Sequence, residues 1–237
     1  MADEILIGTQ APQAIRILSA SAVRQAMTAA AQAFHDRTGA SLHLQFGTSG
    51  AVEQRIGAGE TFDVVAASLS ALQGLHDARH LGAPAAIGAS RIALGIKDGA
   101  PTPDISTLEK FRAVMLAAKS IARGDPAGGG TAGNHLHRAL ERVGLFEPTR
   151  DKTLLKVGGY NVMKEVAEDR ADFGLTQSTE IVAVDGVHIA AWLPEELQMT
   201  TTYAVAPSGK AGAFFTTLID GSSDDIFRRA GFFAVAQ

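Results

Sequence analysis

The chain has 237 residues, of which 46% are hydrophobic and 19% charged, with a net charge of −4. That is globular composition, long enough for one large domain or two smaller ones. The acidic balance gives no footprint for a nucleic-acid partner, the lack of cysteine excludes disulfides, thiolate chemistry and cysteine-based metal sites, and no apolar run approaches the ~20 residues of a membrane span.

At the N-terminus, Met1-Ala2-Asp3-Glu4 is acidic where a secretory leader is basic, and Ile5-Leu6-Ile7 is too short for its apolar core. Two localisations are therefore expected: cytoplasmic, or periplasmic if a leader has been removed. Ile15 to Leu18 reads as a strand. A helix follows from Ala22 to about Arg37, with Val23, Met27, Ala30 and Phe34 at helical spacing and Gly39 ending it. Leu42 to Phe46 alternates as a strand, about Gly50 to Ala58 is helical, and Asp63 to Ala67 is a third strand.

A second series starts near Arg91. It contains the strand Ile92–Ile96, a helix from about Thr107 to Ala118, the strand Ser120–Arg123, a helix from Thr131 to Val143, the strand Leu154–Val157, a helix from Asn161 to Glu168 and the strand Phe173–Thr176. Thr200 to Val205 is one more strand, and helices around Phe214 and Phe227 close the chain. Such alternation predicts an α/β protein with mostly parallel sheets covered by helices.

The junctions from strand to helix are rich in small and hydroxyl residues. They are Ser19-Ala20-Ser21, Gly47-Thr48-Ser49-Gly50, Ala67-Ser68, the run from Asp125 to Gly133, and Gly158-Gly159-Tyr160-Asn161-Val162. Any one of them is an ordinary helix cap. Together they predict a small-anion site, because helix starts present unpaired N–H groups and positive dipole charge beyond the carboxyl ends of parallel strands. The glycine run is not a phosphate-binding P-loop: Asn134 and His135 stand where Lys and Ser/Thr are needed. The seven histidines form no metal motif, Ser junctions of the G-x-S-x-G type are absent, and neither a metal nor a cofactor is expected.

The blocks Ala20-Ser21, Phe46-Gly47-Thr48-Ser49-Gly50, Ile56 to Val64 and Gly124-Asp125-Pro126, in this order and spacing, resemble the molybdate-binding family of ABC-transporter solute-binding proteins, including its aconitate-isomerase-like subgroup. The resemblance runs from Ile15 to Phe232. It implies a two-lobed type II periplasmic-binding-protein fold with a ligand cleft between the lobes. The expected lobes are residues 1–89 with 203–237, and residues 90–202.

By position, the resemblance implies ligand contacts at Ser21, Ser49, Thr131, Ala132 and Val162, with Thr48 beside them. Gln177 stands where the family has a tyrosine, and the glycine turn is one residue longer. Gln offers a donor and an acceptor, which suits a carboxylate better than a compact tetrahedral oxyanion. Arg24 and Arg91 are candidates to add positive charge. The expected function is binding of a small oxyanion or a di- or tricarboxylate by a monomer that serves an ABC-type permease. The alternative is isomerisation of small unsaturated carboxylates, for which His135, Glu165 and Asp125 are the candidate bases.

Overall fold

The computed structural model describes residues 3–9, 13–208 and 212–235. In chain order the elements are β1 (Asp3–Ile7), β2 (Ile15–Ala20), α1 (Arg24–Thr38), β3 (Leu42–Gly47), α2 (Ser49–Gly57), β4 (Val64–Ser68), α3 (Leu69–Asp77) and β5 (Ala85–Lys97). There follow α4 (Leu108–Ala117), β6 (Ile121–Gly124), α5 (Thr131–Arg142), α6 (Phe146–Thr149), β7 (Thr153–Lys156), α7 (Gly159–Ala167), β8 (Phe173–Gln177) and α8 (Ser178–Ile181). The chain ends with β9 (Val187–Trp192), β10 (Thr200–Pro207), α9 (Ala213–Ile219) and α10 (Asp224–Arg229). Two compact units result: Met1–Ala89 with Thr201–Gln237, and Ser90–Thr200. β5 carries the chain out of the first unit and β10 begins where it returns.

In the first unit β2 lies parallel to both β3 and β4, while β1 pairs with β3 and β10 with β4 in the antiparallel sense. The alternation of Leu42, Leu44 and Phe46 puts one face of β3 into the core, whereas β4 is buried along its whole length. Helix α1 covers that core with Met27, Ala30, Ala31 and Phe34, and Phe34 meets Phe214 of α9 edge to face at 5.3 Å.

In the second unit β6 lies parallel to β7 and β8, and β5 pairs antiparallel with β8 and β9. Its sheet is apolar on both faces. One face carries Ile121, Leu175, Phe111 and Leu136; the other carries Ala122, Val162, Met163 and Val166.

Five elements lie outside the sequence reading: β1, α3, β9 and the two single-turn helices α6 and α8. β1 is a short strand that pairs along β3. α3 starts immediately after the last residue of β4, with no loop between them. β9 is mostly half-buried, with Val187 its one fully buried residue. Both sheets are also mixed rather than mostly parallel, because antiparallel strands accompany each parallel triple.

At the end of β6, a Cβ on Gly124 would lie 3.0 Å from the Cα of Gly133, and one on Gly133 would lie 3.0 Å from the carbonyl carbon and oxygen of Gly124. Backbone thus touches backbone where α5 begins, with nothing flexible to yield. Gly133→Ala is expected to destabilise the fold by about 1–3 kcal/mol, the usual cost of overpacking, as measured by urea denaturation.

Candidate functional site

Each unit gathers strand ends and helix starts at the carboxyl edge of its parallel strands. In the first unit, Ala20 pairs across from Gly47 and Ser19 from Ala66, so β3, β2 and β4 finish side by side. The Ser21 hydroxyl donates to the Gly47 carbonyl at 2.9 Å, tying two of these ends together. The Ser49 hydroxyl accepts the Ser68 amide at 3.2 Å, tying α2 to the third. Thr48 caps α2 by accepting the Ala51 amide at 3.1 Å, and the first intrahelical bond is Val52 N–H to Thr48 carbonyl. The Ser49 and Gly50 amides therefore precede the hydrogen-bond ladder. Because its bond uses a lone pair, the Ser49 hydroxyl still has its proton to donate. Ser21, Thr48 and Ser49 are thus brought together in this unit. Arg24 opens α1 with its guanidinium 4.0 Å over the Phe46 ring.

In the second unit α5 opens at Gly130, which has no side chain to cap it, and the first intrahelical bond is Asn134 N–H to Gly130 carbonyl. The Thr131, Ala132 and Gly133 amides precede that bond, so Thr131 and Ala132 sit in the first turn as expected. Asp125 holds the preceding turn, its carboxylate accepting the Ala127 amide at 2.9 Å.

The start of α7 corrects the expectation for Val162. Its amide already bonds the Gly158 carbonyl at 3.3 Å and its side chain is in the core. The helix terminus is filled by an internal carboxyl group. The fully buried Glu180 carboxylate accepts the Gly159 amide at 2.8 Å and the Thr176 hydroxyl at 2.6 Å, with the Tyr160 and Gln177 amides adding to the set. A Cβ on Gly159 would lie 1.9 Å from the Thr176 hydroxyl and 2.0 Å from the Glu180 carboxylate, so only glycine fits there. Burial pushes the Glu180 carboxyl above its ordinary range, against the pull of these donors. Gln177 is 1% exposed, and its amide oxygen accepts the Ser90 hydroxyl at 2.8 Å; its carbonyl is turned to the protein's own interior.

The remaining candidates are engaged elsewhere. Arg91 pairs with the exposed Glu195 at 2.8 Å. His135 meets the Leu197 carbonyl through Nε2 at 2.9 Å. Glu165 is a correction as a base. Its carboxylate takes Arg170 in a fork at 2.7 and 3.0 Å and Lys156 at 3.0 Å. The Arg170 bonds, opposed by burial and aided by Lys156, hold it down to about 2, too low for a proton acceptor at neutral pH.

Two buried ionisable residues escaped the sequence reading, Glu180 and Arg123. Arg123 is 3% exposed in β6 and shares a strand face with the core residue Ile121. An arginine at a core position of an otherwise apolar strand was the available signal. For Glu180 the signal was weaker, a Thr176–Glu180 spacing across a strand-to-helix junction.

Residues 15–233 match the family described as bacterial extracellular solute-binding protein, and the chain belongs to it. Over 219 residues it is 28% identical to an aconitate isomerase of Pseudomonas sp, covering 89% of this chain and 82% of that protein. It superposes on the periplasmic molybdate-binding protein of Azotobacter vinelandii with a TM-score of 0.73 at 16% identity, over 94% of this chain and 100% of the other. The sulfate-binding protein of Mycobacterium tuberculosis gives 0.73 at 15% identity, over 94% and 87%. These structural likenesses establish the α/β fold of the periplasmic binding proteins. Among the described residues no helix is long and apolar enough to cross a membrane, and no cluster of three His, Asp or Glu side chains is placed to hold a metal ion.

The Glu165 network has a pH signature. Its folded pKa lies below the ordinary 4.5, so its stabilisation is complete above that value and lost as pH falls through about 2. Glu165→Gln is expected to lower the urea midpoint at pH 7 and to flatten its decline between those two values. An unchanged midpoint at pH 7 would refute the ion-pair role.

Proposed function

We propose that the protein binds a small di- or tricarboxylate through helix-start donors and delivers it to an ABC-type permease. The observation that carries this reading is the side-by-side ending of β3, β2 and β4, which gathers the Ser21 and Ser49 hydroxyls with the first-turn amides of α2. Such donors attract an anion locally while the chain as a whole is acidic. Thr131 and Ala132 at the start of α5 supply the matching set in the second unit. The family supplies the solute-binding class. The aconitate isomerase relative favours a carboxylate over molybdate or sulfate, since the solved oxyanion binders are alike in fold alone.

Calorimetry with citrate, trans-aconitate, molybdate and sulfate tests the choice. The carboxylates are expected to bind at least as well as molybdate, and tight molybdate binding without any carboxylate response would overturn the reading. Ser21→Ala with Ser49→Ala should weaken binding by about 10- to 100-fold, the scale of one or two lost hydrogen bonds to a charged group, while the protein, though less stable for the two lost internal bonds, remains folded. Ser49 should account for the larger share, because its proton is uncommitted.

The same relative motivates a second reading, isomerisation of the bound carboxylate. That reaction needs a base within reach of a proton on carbon and donors for the charge that develops. Of the candidates, His135 carries the imidazole, the side chain most often used for general acid–base proton transfer. Incubation with trans-aconitate, followed by chromatography for the cis isomer, separates the readings. Conversion that His135→Asn abolishes would establish the isomerase, and binding without conversion is the result expected of a carrier.

A further inference from the structure

Resting on the carboxylate-binding reading, we infer that Ser68 and Ser70 extend the solute site of the first unit. The Ser70 hydroxyl receives a second carboxylate group of the solute that Ser21 and Ser49 hold. Ser68 closes β4, and Ser70 is the second residue of α3. Helix α2 packs against β2, β4 and α3, which brings the starts of α2 and α3 together. Their contact is direct: the Ser68 amide donates to the Ser49 hydroxyl at 3.2 Å. The series continues outward, with the Ser68 and Ser70 hydroxyls 3.4 Å apart.

Two features point to a ligand rather than to a helix cap. Serine is among the best capping residues, yet Ser68, at the N-cap of α3, makes no side-chain bond to the helix. Its hydroxyl is turned to Ser70 instead. That pairing is also loose. A separation of 3.4 Å lies beyond the about 2.5–3.0 Å of a good hydroxyl bond, so its proton passes to a carboxylate oxygen at little cost. The accepting hydroxyl keeps its own proton to donate. Ser49 and Ser68 are buried, whereas Ser70 is exposed. A carboxylate seated against Ser49 and the first amides of α2 therefore has Ser70 on its solvent side, with Ser68 in between. That spacing suits a second group of the same molecule. A di- or tricarboxylate has one, whereas the oxygens of molybdate or sulfate all surround a single atom. The positive end of the α3 dipole adds to the attraction.

Calorimetry with citrate tests the assignment in variants of the full chain. Ser70→Ala should bind citrate about 10-fold more weakly, the scale of one lost hydrogen bond to a charged group. Ser70→Thr, which keeps the hydroxyl, should recover most of that loss. Ser70→Asp places a negative charge where the second carboxylate belongs and should weaken citrate by about 100-fold or more. Its melting temperature should equal or exceed that of the parent, because an acid in the first turn of a helix is favourable. Lost binding in that variant is therefore not lost folding. Parent citrate affinity in Ser70→Ala and Ser70→Asp, where Ser21→Ala with Ser49→Ala weakens it, would overturn the assignment and leave the carboxylate-binding reading standing. A parent protein that binds neither citrate nor trans-aconitate would overturn the assignment together with the reading it rests on.

Discussion

The edge of each unit where parallel strands end is governed by the need to satisfy the unpaired amides of the helices that begin after them. An α-helix leaves its first N–H groups without intrahelical partners, and when buried they must find acceptors. The protein meets this need in different ways. α2 and α4 use hydroxyl caps, from Thr48 and Thr107. α7 uses an internal carboxylate, Glu180, which takes the Gly159 and Tyr160 amides. α5 begins at Gly130 with no side-chain cap. The start of α7, filled by a carboxyl group, has little left to offer a solute, while α5 has no side-chain cap and the cap of α2 takes the Ala51 amide, ahead of which those of Ser49 and Gly50 stand outside the helical ladder. Helix starts that look alike as sequences of small residues therefore differ in what remains to bind.

The same pattern explains how far the sequence could be read. The strand-helix alternation, the core faces of α1 and β3, and the serines at the ends of β2 and β3 follow from local periodicity and junction composition, and the structure places the expected elements within a residue or two, except β5, which begins at Ala85 rather than Ile92. β1 and β9 carry no period of their own, whereas α3 has Leu69, Leu72 and Leu75 at helical spacing that the reading passed over. β1 and β9 are defined by the strands they pair with, and α3 by its lack of a loop. Val162 and Gln177 came from positional resemblance to the molybdate binders. What alters their surroundings is distant in sequence: Glu180 reaches the start of α7 from the far side of β8, and Ser90 reaches Gln177 from β5. Contacts at such separations are set by tertiary packing and leave no local trace.

Charge is distributed with the same economy. Net negative charge disfavours non-specific anion binding, so selectivity for an anionic solute depends on donors concentrated at particular points. Most arginines of the second unit are neutralised on carboxylates or carbonyls at its surface, where such pairs contribute little to stability. Glu180 and Arg123 are buried ionisable groups of that unit without an opposite charge bonded to them. Glu180 is held by neutral donors, backbone amides and the Thr176 hydroxyl, while burial pushes its carboxyl above the ordinary range. It shows within this protein how amides and a hydroxyl can hold a carboxylate away from water.

That internal example bears on the choice between carrier and isomerase. Holding a carboxylate needs only donors, and both units have them. Moving a double bond needs in addition a proton acceptor beside the reacting carbon, and the donors would have to favour the dianionic, enolate-like transition state over the bound acid. The carboxylates that could accept a proton are committed: Asp125 to the turn before α5, Glu165 to two cations, Glu180 to the start of α7. His135 already has one ring nitrogen on the Leu197 carbonyl. If Nε2 carries the proton and donates it there, Nδ1 is the basic atom, with its tautomer fixed by that bond. Catalysis in this fold would thus turn on a single imidazole nitrogen, whereas binding depends on a donor set spread over several helix starts. On the proposed reading the two activities separate at that atom, because replacing His135 removes the candidate base and leaves the Ser21 and Ser49 hydroxyls and the helix-start amides untouched.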